Sequence, residues 1–130
     1  MTPNSNYSIL IVDDTQQNVQ VLSQILRDVG YKVLAAFNGQ DALNLLSKRI
    51  PDLILLDVMM PGMDGIELCG VIRERAETSS TPVLILSARG DAESVMRGMD
   101  AGANDFLPKP ILHHDLVAKV RAMLDEVHSN

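Results

Sequence analysis

Acidic residues follow two of the short apolar runs in this sequence. Asp13 and Asp14 come directly after the aliphatic run 9–12, and Asp57 comes directly after the aliphatic run 53–56. Each run is too short for a helix and has the composition of a strand buried on both faces of a sheet. If the two strands are parallel neighbours, their carboxyl ends meet where open α/β sheets bind ligands. The three acids would then share one small pocket.

Three carboxylates in one pocket need positive charge. At separations of about 4–6 Å they repel, and some would take up protons unless a cation lies among them. Mg²⁺ suits the site, because it prefers oxygen ligands and keeps several waters while using one or two carboxylates. The alternative is that Asp13 or Asp14 only caps the following helix, which explains one acid but not an adjacent pair joined by Asp57. The spacing therefore predicts a magnesium site.

Two further residues would complete a pocket for a phosphoryl group. Lys109 follows the fifth predicted strand, and a cis bond to Pro110 would turn the chain and aim the amine across the strand ends. Ser87 ends the fourth predicted strand and can offer a hydroxyl, although a surface lysine and a turn serine remain the alternatives. Phosphoryl transfer depends mainly on positioning and charge neutralisation. Asp57 is the best nucleophile, because a carboxylate can form an acyl phosphate.

The elements that must position these residues alternate along the chain. Aliphatic blocks lie at 9–12, 33–37, 53–56 and 83–86, with a weaker one at 105–107, and a segment of helical period follows each. This alternation predicts an α/β fold with a parallel sheet covered by helices on both faces. Right-handed crossovers favour the strand order 2-1-3-4-5. We therefore predict a single doubly wound (βα)5 domain of flavodoxin-like topology.

Cap signals and apolar spacing place five helices between these blocks. The second is predicted to run as far as Pro51 with Ile50 turned inward, and the fourth to bury Val95, Met96 and Met99. The predicted helix starts are, in order, Thr15, Asn38-Gly39, Asp64, Asp91 and either His113 or His114.

Composition restricts the classes of protein to which the chain can belong. With 130 residues it forms one domain, and the net charge of -6 argues against a surface that binds nucleic acid directly. No apolar run approaches the roughly 18 residues that span a bilayer, and residues 1–7 are polar rather than signal-like. We expect a cytoplasmic protein without a membrane partner. The single cysteine, Cys69, lies in a helical pattern and is predicted to be a buried structural thiol.

Four motifs stand in this sequence: IVDD at 11–14, LLDVMMPGMDG at 55–65, LSA at 86–88 and AGANDFLPKP at 101–110. At these motifs the sequence closely resembles the receiver domain of bacterial two-component response regulators, which have a chemotaxis-regulator-like fold. The resemblance covers residues 8–127 as the receiver domain, which leaves 1–7 as a flexible N-terminal segment and 128–130 as a C-terminal tail. Taken together, the motifs are highly specific.

The resemblance implies a role for each residue of the pocket. Asp57 would accept phosphate from a histidine kinase or a histidine phosphotransfer protein. Asp14, Asp57 and the backbone carbonyl of Met59 would bind Mg²⁺, with Asp13 acting partly through water. Lys109 would contact the phosphate.

The resemblance also implies a switch pair, Ser87 and Phe106. When Ser87 turns toward the phosphate, the ring of Phe106 could rotate inward and reshape the face made by helix 4, strand 5 and helix 5. Ser87 and Phe106 stand where threonine and tyrosine are commoner, and Ile111 stands where many DNA-binding regulators have phenylalanine. Met59 and Arg89 would flank the phosphate and tune its lifetime. A simple core aromatic is the alternative for Phe106.

Function is expected to be that of a switch rather than of an enzyme with an external substrate. Its only chemistry would be its own phosphorylation and dephosphorylation. A Mg²⁺-dependent phosphatase is disfavoured, because Met59 stands where such enzymes place a second acid. A flavin-binding module is disfavoured because two acids begin the loop that would hold its phosphate. The kinase and the downstream effector are not readable from the sequence, and a homodimer through the helix 4 and helix 5 face stays an open alternative.

Overall fold

The computed structural model describes residues 6–60, 62–88 and 91–128. Within them, the strands are β1 (Ser8–Val12), β2 (Lys32–Ala36), β3 (Leu53–Asp57), β4 (Val83–Ser87) and β5 (Asp105–Pro108). The helices are α1 (Gln16–Asp28), α2 (Gly39–Leu46), α3 (Gly65–Glu74), α4 (Ala92–Asp100) and α5 (His113–His128), with a 3₁₀ turn at Ala76–Thr78. Most of the predicted flexible segment 1–7 and of the predicted tail 128–130 lies outside the described residues, as does Arg89.

All five strands are parallel and lie in the predicted order, β2-β1-β3-β4-β5. β1 and β3 are therefore neighbours at the centre of the sheet, and Val12 pairs with Leu56 at their carboxyl ends. The next residues along these two strands are Asp13 and Asp57. The register thus carries both acids to the same edge of the sheet, at the point where the strand order reverses.

The core consists of two apolar layers on opposite faces of the sheet. Ile54 and Leu56 join the layer that includes residues of α2 and α3, whereas Leu53 and Leu55 join the layer that includes residues of α1 and α5. Because both faces are covered, every position of β3 must be apolar until the strand reaches Asp57. Cys69 on α3 is fully buried in the first layer, which confirms the prediction of a structural thiol.

Helix α4 packs through a glycine rather than through its methionines. Gly98 is its buried residue, and a β-carbon at that position would collide with Cδ1 of Ile85 on β4. Met96 and Met99 are 67% and 40% exposed, so the prediction that they face the core is wrong. The apolar spacing correctly indicated an amphipathic helix, but α4 approaches the sheet most closely at Gly98, its smallest residue. The methionines are left on the surface.

Helix α2 is shorter than predicted. It ends at Leu46, because the backbone N–H groups of Lys48 and Arg49 both donate to the carbonyl of Leu45 and close the last turn. Ile50 lies in the surface connection to β3 and is 45% exposed, so the prediction that it is buried is wrong. Among the described residues, no helix combines the length and the apolar character needed to cross a membrane.

Candidate functional site

Asp57, the last residue of β3, is 3% exposed. Its Oδ1 accepts a hydrogen bond of 2.7 Å from Nζ of Lys109 and a longer one of 3.4 Å from the backbone N–H of Met59. Burial raises the pKa of the Asp57 carboxyl, the Lys109 hydrogen bond lowers it, and the charge on Asp13 raises it again; the resulting pKa is above its ordinary value. Lys109 therefore compensates only part of the unfavourable energy of a buried negative charge.

Lys109 reaches this carboxylate from the end of β5. The peptide bond between Lys109 and Pro110 is cis, as expected. The backbone N–H of Lys109 donates to the carbonyl of Ser87 at 2.7 Å, which fixes the chain beside the end of β4. About a third of the lysine side chain is exposed. The amine thus lies across the strand ends, in agreement with the position predicted from the sequence.

Asp13 and Asp14 lie beside Asp57. One carboxylate oxygen from each of the three residues lies within 4.8 Å of the other two. Asp13 is fully buried, whereas Asp14 is exposed to solvent. Such a set of oxygen donors is the kind that Mg²⁺ prefers. The donor set therefore fits the predicted ion, and the predicted cluster of three acids is present.

Ser87, the last residue of β4, has a buried hydroxyl. Among the described residues its Oγ has no hydrogen-bond partner, although buried hydroxyls in proteins are nearly always paired. Ser87 pairs with Pro108 of β5, one position beyond the pair formed by Asp57 and Leu86. The hydroxyl therefore lies close to the acid edge and has a hydrogen bond to offer to a group that enters the site.

Phe106 lies at the surface of β5 and not in the core. Its side chain is 38% exposed and borders a groove of about 330 Å³ that Ser87 also lines, together with residues of α4. The alternative of a simple core aromatic is wrong. The two residues of the predicted switch pair thus border one groove. Met59 is 66% exposed beside Asp57, and the role predicted for its carbonyl stays a prediction.

Two features of the site had escaped the sequence analysis. Asp13 accepts two hydrogen bonds at the start of α1: one of 2.9 Å from the backbone N–H of Thr15, the N-cap residue, and one of 3.3 Å from the side-chain amide of Asn18 in the first turn. A β-carbon on Gly65 would collide with the carbonyl oxygen of Asp57, so α3 can begin this close to β3 only with glycine. In the sequence, the only signals for these two features are a polar residue, Asn18, one turn into α1 and a glycine, Gly65, directly after the cap residue of α3.

Comparison with known proteins agrees with this geometry. The family model described as the response regulator receiver domain matches residues 9–121. The chain belongs to the response regulator receiver family. As a receiver of the two-component type, it takes part in phosphorylation-dependent signalling. Receivers of this family interact with histidine kinases and generally bind Mg²⁺ in their acidic pocket.

Sequence relatives of this receiver include two longer proteins. It is 42% identical over 120 residues to the transcriptional regulatory protein CpxR of Escherichia coli (strain K12), covering 92% of this chain and 50% of CpxR. It is 41% identical over 116 residues to the response regulator MprA of Mycolicibacterium vanbaalenii, covering 89% of this chain and 49% of MprA. The chain thus spans about half the length of the curated relatives it matches.

Two solved structures with the same fold match this receiver over nearly their whole length. The receiver domain of a signal transduction histidine kinase from Syntrophus aciditrophicus has a TM-score of 0.88 at 35% identity, with 95% of this chain and 94% of that one covered. The chemotaxis protein CheY4 of Vibrio cholerae has a TM-score of 0.86 at 32% identity, with coverage of 90% and 98%. These matches confirm the predicted flavodoxin-like fold.

Proposed function

We propose that Asp57 is the phosphoacceptor of this receiver and takes its phosphoryl group from a histidine kinase or a histidine phosphotransfer protein. The observation that supports this most directly is the buried Asp57 carboxylate, held by Lys109 beside Asp13 and Asp14 at the topological switch point. An acid placed there lies at the edge where open α/β sheets bind ligands, and Lys109 compensates its buried charge only in part. Both properties suit a carboxylate that must react.

In the proposed transfer, an oxygen of Asp57 attacks the phosphorus of a phosphohistidine. The bond from phosphorus to the histidine nitrogen breaks, that nitrogen retains the electron pair and takes up a proton, and an acyl phosphate forms. Within the described residues, both hydrogen bonds that the Asp57 carboxylate accepts end on Oδ1, which leaves Oδ2 as the attacking oxygen. Lys109 lies close enough to neutralise part of the charge that arrives.

Asp13, Asp14, Asp57 and the backbone carbonyl of Met59 are the groups that would hold Mg²⁺ at this site. When bound, the ion would supply positive charge to the phosphoryl oxygens during transfer. The support is the set of oxygen donors within 4.8 Å of one another. Asp14 is the exposed member, so it can exchange solvent for a ligand at little desolvation cost.

Phosphorylation would add about one negative charge at residue 57. Lys109 and the unpaired hydroxyl of Ser87 are the groups that would turn toward it. Movement of Ser87 would open the groove that it shares with Phe106, whose ring could then move inward. Converting a mostly inactive to a mostly active population takes about 5 kcal/mol of differential interaction. Charge-assisted hydrogen bonds in a partly dry pocket are strong enough to contribute most of it.

The proposed output is a change on the face formed by α4, β5 and α5. Met96 and Phe106 are exposed there, which leaves apolar area for a downstream effector or for a second copy of the chain. We further propose that the domain acts in the cytoplasm as a switch. It would catalyse its own phosphorylation and dephosphorylation and would turn over no external metabolite.

The direct test is labelling with acetyl phosphate and Mg²⁺, read by intact-protein mass spectrometry. Wild type should gain one phosphoryl group, Asp57→Asn none, and the surface control Asp28→Asn as much as wild type. Phosphate retained on Asp57→Asn at unchanged stoichiometry would contradict the assignment. Rapid release of free phosphate from varied monoesters would instead favour a phosphatase.

A further inference from the structure

The carboxylate of Asp13 is oriented by donors from one short stretch of chain. The backbone N–H of Thr15 donates to Oδ1 at 2.9 Å, and the side-chain amide of Asn18 donates to Oδ2 at 3.3 Å. Asp13 is fully buried, so neither oxygen can rely on bulk water. Because one donor meets each oxygen, the pair fixes both the position and the plane of the carboxylate.

We propose that Asn18 is a positioning residue for the Mg²⁺ site, which acts by holding Asp13 in the orientation that the ion and its waters require. The inference rests on the function proposed above. With the Thr15 bond alone, the carboxylate could rotate about its Cβ–Cγ bond. Rotation is favoured by repulsion from Asp57, because the two residues offer oxygens within 4.8 Å of each other. The Asn18 amide opposes that rotation.

The location of Asn18 suits a role toward the metal rather than toward the core. Asn18 is exposed and, with Asp13, Gln17 and Lys109, lines a cavity of about 240 Å³ beside the acids. Groups that hydrogen-bond to metal ligands orient those ligands, and their removal typically weakens metal binding by 10- to 100-fold. Since Asp13 is expected to act partly through water, an effect at the lower end of this range follows.

Calorimetric titration with MgCl₂ at neutral pH tests the proposal on the full chain. Asn18→Ala should bind Mg²⁺ about 10-fold more weakly than wild type. Asn18→Leu should behave alike, and it guards against misfolding, because leucine keeps the bulk and favours the helix more than asparagine does. Asn18→Gln, which retains the donor, should recover part of the affinity. Gln17→Ala, a neighbour in the same cavity, should bind like wild type.

A double-mutant cycle separates positioning of Asp13 from any direct effect of Asn18. In an Asp13→Ala background, Asn18→Ala should cause no further loss of Mg²⁺ affinity. A further loss of equal size would overturn the proposal, as would an Asn18→Ala variant that binds as tightly as wild type. Those results would leave the proposed function intact, whereas a wild-type protein without Mg²⁺ affinity would overturn the proposed metal site itself. Melting temperatures close to that of wild type would show that the affinity changes are local.

Discussion

Lys109 and Asp57 lie 52 positions apart in the sequence, yet Nζ of the lysine is 2.7 Å from Oδ1 of the aspartate. The contact spans the end of β4, which separates β3 from β5 in the sheet. Parallel strands make this possible, because their carboxyl ends share one edge and side chains that follow them can meet above it. The contact between Lys109 and Asp57 therefore depends on the strand order as much as on the attraction between the two charges.

Replacing Lys109 should leave phosphorylation of Asp57 intact but weaken the conformational change that follows it. We expect Lys109→Ala to accept phosphate from acetyl phosphate, since Asp57 remains, but to show a much smaller conformational response. The measure is the chemical-shift change at Phe106 and along α4, compared at equal phosphorylated fraction by mass spectrometry. Lys48→Ala is the control, because Lys48 is exposed in the turn after α2 and lies outside the α4, β5 and α5 face. A full response in Lys109→Ala would remove the lysine from the switch.

The stability of the metal-free protein should depend on pH through Asp57. Burial raises the pKa of this carboxyl above its ordinary value of 3.8, so the folded chain holds the proton more tightly than the unfolded chain does. The stabilisation that comes from the protonated Asp57 carboxyl is therefore fully present below the pKa that this group has in the unfolded chain. It is lost as the pH rises through the higher pKa that the group has in the folded chain.

Asp57→Asn removes this titration while it keeps an acceptor for Lys109. In EDTA, the variant should melt at a higher temperature than wild type at neutral pH, and the difference should shrink as the pH falls toward 4. Thermal unfolding followed by circular dichroism over that range is the measurement. Parallel profiles for the two proteins would show that ionised Asp57 does not destabilise the fold.

Glycine at position 65 should be essential for the close approach of α3 to β3. Gly65→Ala places a β-carbon against the Asp57 carbonyl oxygen, and such overpacking costs about 1–3 kcal/mol of unfolding free energy. It should also slow phosphorylation, because the clash displaces the backbone of the phosphoacceptor. Gly70→Ala in the same helix meets nothing within 4 Å and should instead stabilise by up to about 1 kcal/mol. Urea denaturation of both variants checks the opposite signs.

Arg73 on α3 connects three segments through one guanidinium. It donates to the carbonyls of Gly102, Thr78 and Thr81 at 2.9, 3.1 and 2.6 Å, and to Oδ1 of Asn104 at 2.8 Å. The same asparagine oxygen accepts from the first backbone N–H of β4. The arginine thus ties the turn after α4 to the connection between α3 and β4.

Removing this arginine should destabilise the domain by about 2–4 kcal/mol, because several partly buried carbonyls lose a charged donor together. Arg75→Ala is the control, since within the described residues the guanidinium of Arg75 makes a single hydrogen bond, of 3.3 Å to the carbonyl of Leu43, and should contribute less than about 1 kcal/mol. Urea denaturation measures both. Equal losses in the two variants would show that the Arg73 network adds nothing specific.

Local sequence patterns and general rules of chain topology were sufficient to predict the strands, helices and strand order of this receiver. Continuous aliphatic runs marked strands buried on both faces, and Asp64 caps α3 by accepting from the N–H of Glu67 at 2.8 Å, as its spacing indicates. The handedness of crossovers favoured one strand order, and that order places Asp13, Asp57 and Lys109 at one edge of the sheet. These features depend on hydrophobic period, helix caps and backbone chirality. Period and caps act over a few residues, and chirality applies to every protein chain.

The distances of closest approach depended on the tertiary structure. Gly98 rather than Met96 faces β4, Gly65 admits the start of α3, and Asn18 reaches Asp13. Each depends on how near two elements come once all of their neighbours are packed, and apolar periodicity carries no information about that separation. The order of the strands could therefore be predicted from the sequence, whereas the surface of α4 and the hydrogen bonds that orient the acids emerged only when the whole domain was assembled.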